Sequence, residues 1–226
     1  MCGRYCLDEN PQALVQRFAL AAVPRYQPRW NIAPGTLVLA IHAGDAGRVG
    51  EAMTWGLAPQ WARGAGRLPQ PINARAETLA QRPMFRAALH RHRCILPASG
   101  FYEWQTLPGV GGARPRKQPW YVHPSGLGVF ALAGLFEPGE AGEPASCCIV
   151  TTDANPAMAP IHDRMPVLLD DGAVQCWLDP GADAREVAAL LHPCPAAWLL
   201  MHTVSAVVNA ARAEGAALIQ PLPPAG

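Results

Sequence analysis

The strongest constraint on this fold is the way short strand-like runs are broken by turns and by helices that follow no regular alternation. Residues 36–43 (TLVLAIHA), 93–98 (RCILPA), 101–105 (FYEWQ), 119–123 (PWYVH), 128–136 (GVFALAGLF) and 146–152 (SCCIVTT) read as strands. Residues 11–21, 84–92, 172–178 and 182–191 carry apolar positions at helical spacing. The segments 107–119 and 137–144 are rich in glycine and proline and read as hairpin connections. Strict β-α-β order would give a doubly wound parallel sheet; this irregular order predicts α+β, a mainly antiparallel or barrel-like sheet with short flanking helices. No repeat, linker or composition break divides the chain. One domain is expected over 1–222, with a frayed tail at 223–226.

Half of the 226 residues are apolar and 15% are charged, which suits a folded chain with a substantial core. No apolar run reaches the roughly 18 residues of a membrane helix and no signal peptide opens the chain, so a cytoplasmic protein without membrane association is expected. The seven cysteines (2, 6, 94, 147, 148, 176, 194) are odd in number and irregularly spaced, with no C-x-x-C, which argues against a disulfide framework or zinc ribbon. His90, His92 and Cys94 alternate, and either present ligands on one strand face or form a basic strand end; the reading calls for no metal and no cofactor.

Net charge is +1, but its distribution is uneven. Between Trp61 and Arg93 there are seven arginines (63, 67, 75, 82, 86, 91, 93) against the single acid Glu77. Planar guanidiniums suit phosphate. Seventeen of the eighteen basic residues are arginine, which also fits a GC-rich coding bias.

Six stretches place polar or ionisable groups among turn formers and aromatics: MCGRY (1–5), NIAPG (31–35), WGLAPQW (55–61), INARAET (72–78), GFYEW (100–104) and IHDRMPV (161–167). Functional loops have this character. Taken singly, Asn73 could cap a turn, Glu103 could be a solvated strand residue and His162 a core histidine. Together with VSAVVN (204–209) they resemble, in order and identity, the SRAP (SOS-response-associated peptidase) family, the abasic-site-shielding proteins of the YedK/HMCES type. The resemblance runs from Met1 to about Leu222.

That resemblance implies loss of Met1 and a mature N-terminal Cys2 that captures abasic sites in single-stranded DNA. The chemistry is coherent by itself. An amine and a thiol on adjacent carbons react with an aldehyde first as an imine, then as a five-membered thiazolidine. The resemblance assigns Asn73 to holding the Cys2 amine, Glu103 to acid catalysis and crosslink reversal, and His162 to contacting the opened sugar. It assigns Arg4, Arg75 and Arg164 to phosphates, and Pro34, Trp61 and Trp104 to packing against bases. A monomer is expected. Two departures stand out: Cys6 replaces a small hydroxyl residue, and WGLAPQW ends in one tryptophan where some relatives have two. Two other readings use the same residues, a thiol peptidase and a non-covalent reader of modified bases.

Overall fold

The computed structural model describes residues 2–22, 26–59, 70–109, 114–126, 128–140 and 142–223. The architecture is α+β: two largely antiparallel sheets with four short helices among the described residues. The first sheet has the order β13-β8-β7-β1-β2, built from Leu199–Thr203, Arg116–Pro124, Gly100–Leu107, Tyr5–Leu7 and Arg29–Ile32.

The second sheet closes on itself. It runs from β10 (Ser146–Asp153) through β4 (Gly47–Trp55), β3 (Leu37–Gly44) and β6 (Arg93–Ala98) to β9 (Phe130–Glu137), which pairs back onto β10. Closure leaves this ring without a free edge. β9 is buried at every position, as a strand walled on both faces should be. Three short strands extend the ring: β5 (Asn73–Arg75) and β11 (Arg164–Pro166) beside β10, and β12 (Leu168–Leu169) beside β9.

The helices cover the outside. α1 (Pro11–Phe18) starts with Asn10 accepting the Gln12 N–H and stops where Ala19 turns left-handed at φ 52, three residues short of the 11–21 expected. α2 (Pro83–Arg91) faces the core through Phe85 and Ala88. α3 (Asp171–Leu178) and α4 (Ala184–Ala189) are each capped by an aspartate. Arg93 is buried and joins two helix ends: it donates to the carbonyls of Leu89 and His90 at the end of α2, and to those of Trp177 and Asp179 at the end of α3. A cation there meets carbonyls that lack helical partners.

Strands β1, β2, β4, β5, β11, β12 and β13 lie outside the six runs read as strands. β4 (GRVGEAMTW) shows why: two glycines and a glutamate dilute its pattern, and its pairing with β3 from Leu37↔Thr54 to Gly44↔Gly47 holds it in place. The connection 107–119 does join a hairpin, but β8 already begins at Arg116.

Candidate active site

The two sheets meet at a seam, and each contributes two of the four residues assigned to chemistry. Cys2 precedes β1 and Glu103 lies in β7, both of the first sheet. Asn73 opens β5, which pairs in parallel with β10 (Asn73↔Ile149), and His162 leads into β11, both of the second sheet.

Cys2 has no exposed surface. The Asn73 side-chain amide donates to its carbonyl oxygen at 2.9 Å. Asn73 Oδ1 is buried and has no hydrogen-bond partner among the described residues, so an acceptor stands ready beside Cys2. Burial pushes the Cys2 thiol well above its ordinary pKa, the Glu103 carboxylate pushes it the same way, and a bond from the Arg4 backbone works against both.

Glu103 is 2% exposed, opposite Trp120 of β8. Burial raises its carboxyl pKa, with His162 among the opposing influences. Such a group keeps its proton to higher pH than a surface glutamate. Gly100, three residues earlier, admits the neighbouring Tyr121 ring: a Cβ there would lie 2.5 Å from Tyr121 Cζ.

His162 Nε2 lies 4.0 Å from Glu103 Oε2. Its Nδ1 accepts from the Arg164 backbone N–H at 3.0 Å and also lies 2.9 Å from Asp163 Oδ1. A backbone amide can only donate and a carboxylate only accept. The Arg164 contact therefore leaves Nε2, the nitrogen facing Glu103, as the ring's donor.

Residues outside the sequence-derived set hold this loop. Asn155 Oδ1 accepts from the backbone of Ala157 (3.1 Å) and Met158 (2.9 Å), and its amide donates to the Cys194 carbonyl (3.0 Å). Gln105 donates to the Pro160 carbonyl at 3.0 Å, tying the loop to β7 two residues from Glu103. The Asn-Pro pair at 155–156 was the available signal for the turn. Asn31, also missed as a hub, is fully buried: its Oδ1 accepts from Arg4 Nη1 at 2.8 Å, and its amide donates to the carbonyls of Val208, Ala210 and Ala213. It joins the MCGR, NIAPG and VSAVVN stretches.

The residues assigned to DNA divide sharply. Arg75 and Pro34 are exposed. Trp104 is half-buried, with its indole N–H on Asn209 Oδ1 at 2.7 Å. Arg4 bonds Asn31 and the Val208 carbonyl through one nitrogen. Arg164 is buried and faces protein: its guanidinium bonds both oxygens of Glu77 (2.8 and 3.0 Å), Asp153 (2.6 Å) and the Thr151 carbonyl (2.8 Å). In this arrangement it clamps the Asn73 segment to the His162 segment rather than offering a fork to phosphate. Trp61 lies outside the described residues.

Cys6 is fully buried, so its thiol does not compete at the surface. His90 lies in the last turn of α2, His92 is its C-cap and Cys94 is buried in β6, so the three do not share a strand face. Among the described residues no helix is long and apolar enough to cross a membrane.

The profile of the SOS response associated peptidase (SRAP) family matches residues 1–211. The chain is 37% identical to abasic site processing protein YoqW of Bacillus subtilis, over 97% of this chain and 99% of that one. It is 34% identical to abasic site processing protein YedK of Escherichia coli, over 98% and 100%. With the HMCES protein of Xenopus tropicalis it shares 33% identity over 83% of this chain and 64% of that one. Among solved structures, a Bacteroides thetaiotaomicron protein covers 98% of the chain with a TM-score of 0.85 at 21% identity. A phage-related protein from Bordetella bronchiseptica covers 90% with a TM-score of 0.74 at 29% identity. The chain belongs to the SRAP family.

Proposed function

We propose that this chain captures abasic sites in single-stranded DNA through Cys2, once Met1 has been removed, and shields them as a thiazolidine crosslink. The observation that carries the reading is the seam itself: Cys2 is enclosed with the Asn73 amide at 2.9 Å, beside the Glu103–His162 pair. The names of relatives similar over nearly their whole length point the same way.

The Cys2 amine adds to the aldehyde carbon of the opened deoxyribose, water leaves, and an imine forms. The thiol then adds to the imine carbon and its proton passes to nitrogen, closing the ring. Asn73 Oδ1 accepts from the amine and orients it without the charge a carboxylate would bring. Glu103, whose burial lets it keep a proton to higher pH than a surface glutamate, donates that proton to the departing oxygen, and His162 exchanges the proton on the Nε2 side. By microscopic reversibility the same pair assists release. A raised thiol pKa is no obstacle here, because closure is intramolecular on an activated electrophile. It does weigh against a general thiol peptidase, which needs a thiolate at neutral pH.

The test is a heat-stable adduct with an abasic single-stranded oligonucleotide. Wild type should form it and Cys2→Ala should not; an undiminished adduct in Cys2→Ala would overturn the proposal. A variant that retains Met1 separates this from the non-covalent reader, whose binding would not depend on a free Cys2.

A further inference from the structure

The arginine-rich run between Trp61 and Arg93 is only partly used by the site. Arg63 and Arg67 lie outside the described residues. Arg93 is occupied by helix-end carbonyls. The remainder behaves differently. Arg75, Arg82, Arg86 and Arg91 are exposed, and their guanidiniums have no hydrogen bond or ion pair among the described residues.

Among the described residues no ion pair neutralises Arg82, Arg86 or Arg91. Glu77 is the sole acid between Gln70 and His92, and both its oxygens bond Arg164. The first turn of α2 carries no acidic residue. Arg82 sits at the N-cap of α2, with Arg86 and His90 one and two turns further along. Four-residue spacing puts such side chains on one flank, about 12 Å from end to end, while Phe85 and Ala88 face the core. The flank begins close to the site in sequence. Six residues separate Arg75 from Arg82, and they fold into 3-10 and turn conformations, well short of the about 24 Å that seven extended steps would span. Coding bias would scatter arginines; it would not leave consecutive helical turns unpaired beside an acid that is already engaged.

We infer that the Arg82–Arg86–His90 flank of α2 is a second phosphate track for single-stranded DNA, engaging the strand beyond the nucleotides held at the seam. This rests on the proposed function for its partner. Its contacts are to backbone phosphates, so they are independent of base sequence and strongly salt-dependent.

The test uses a fluorescent oligonucleotide with no abasic site, so it does not depend on crosslinking. Binding by wild type and by Arg82→Ala/Arg86→Ala is titrated over a range of salt, with a long oligonucleotide and with one too short to span both the seam and α2. Both positions are exposed, Arg82 makes no side-chain cap bond to lose, and Arg86 lies inside the helix where alanine is favoured, so the variant should fold; an unchanged circular dichroism melt checks this. The log–log salt slope for the long oligonucleotide should fall by about 1.4, some 0.7 per lost contact, and that for the short one should hold. Arg82→Lys/Arg86→Lys should recover the slope. An unchanged slope with the long oligonucleotide overturns the track, as does an equal fall with the short one. If the slope falls while abasic DNA gives no adduct, the track stands and the crosslinking proposal fails.

Discussion

The centre of the seam and its rim are built on opposite principles. At the centre, Cys2 and Glu103 are sealed, and Asn73 offers an acceptor with no described partner. At the rim, Pro34 and Arg75 face solvent and Trp104 is half-covered. The centre keeps polar groups buried at the expense of the resting fold; the rim costs the fold little and is open to solvent. Changes at the centre should alter rates, and changes at the rim should alter affinity.

The largest effect should come from Glu103→Gln. Loss of a general acid slows reactions by roughly 100-fold or more, and both crosslinking and release should slow together. Rates equal to wild type would remove Glu103 from the mechanism. The same variant should melt higher. Because burial raises the folded carboxyl's pKa, its stabilising contribution is present at low pH and is lost as pH rises through the folded value. Glutamine removes that loss, so the melting temperature should rise at pH values above the folded pKa and stay unchanged in acid.

Arg164→Ala sharpens the boundary between scaffold and rim. Removing a buried guanidinium that bonds Glu77, Asp153 and Thr151 should cost about 2–3 kcal/mol in denaturant unfolding, because those partners are partly solvated once released. A variant as stable as wild type with weaker DNA binding would return Arg164 to the phosphate set.

Trp104→Ala should weaken binding to single-stranded oligonucleotides about ten-fold, the scale of one stacked base, with the crosslinking rate at saturating DNA lowered far less. A loss confined to the saturated rate would move Trp104 to the centre.

The smallest effect concerns Glu77. Its hydrogen bonds from Arg164 hold its carboxyl below the usual range. That contribution is present above the ordinary carboxylate pKa and fades as pH falls through the folded one, so Glu77→Gln should cost stability at neutral pH and little in strong acid. Since Glu77 is 46% exposed, about 1 kcal/mol or less is expected in urea melts.

Much of the centre was legible in the sequence because its residues sit in short stereotyped stretches, where turn formers and ionisable groups have no other reason to coincide. The long-range partners were not. Asn31 reads as a turn asparagine in NIAPG, and its hub role depends on carbonyls about 180 residues away. Arg164 looks like any arginine in IHDR until β10 and the Asn73 segment bring two carboxylates to it. The closed ring was legible only as many short strands, since closure rests on the β9–β10 and β10–β4 pairings and not on local pattern. Weak strands such as β4 are held by register with their neighbours, which local propensity does not encode.

The central claim is tested most directly by the intact mass of the purified protein, before and after incubation with an abasic single-stranded oligonucleotide. The account predicts a starting mass lacking Met1, then a gain equal to the oligonucleotide minus one water, unaltered by borohydride because a thiazolidine, unlike an imine, resists reduction. Retention of Met1, or a mature Cys2 protein that gains no mass, would contradict it.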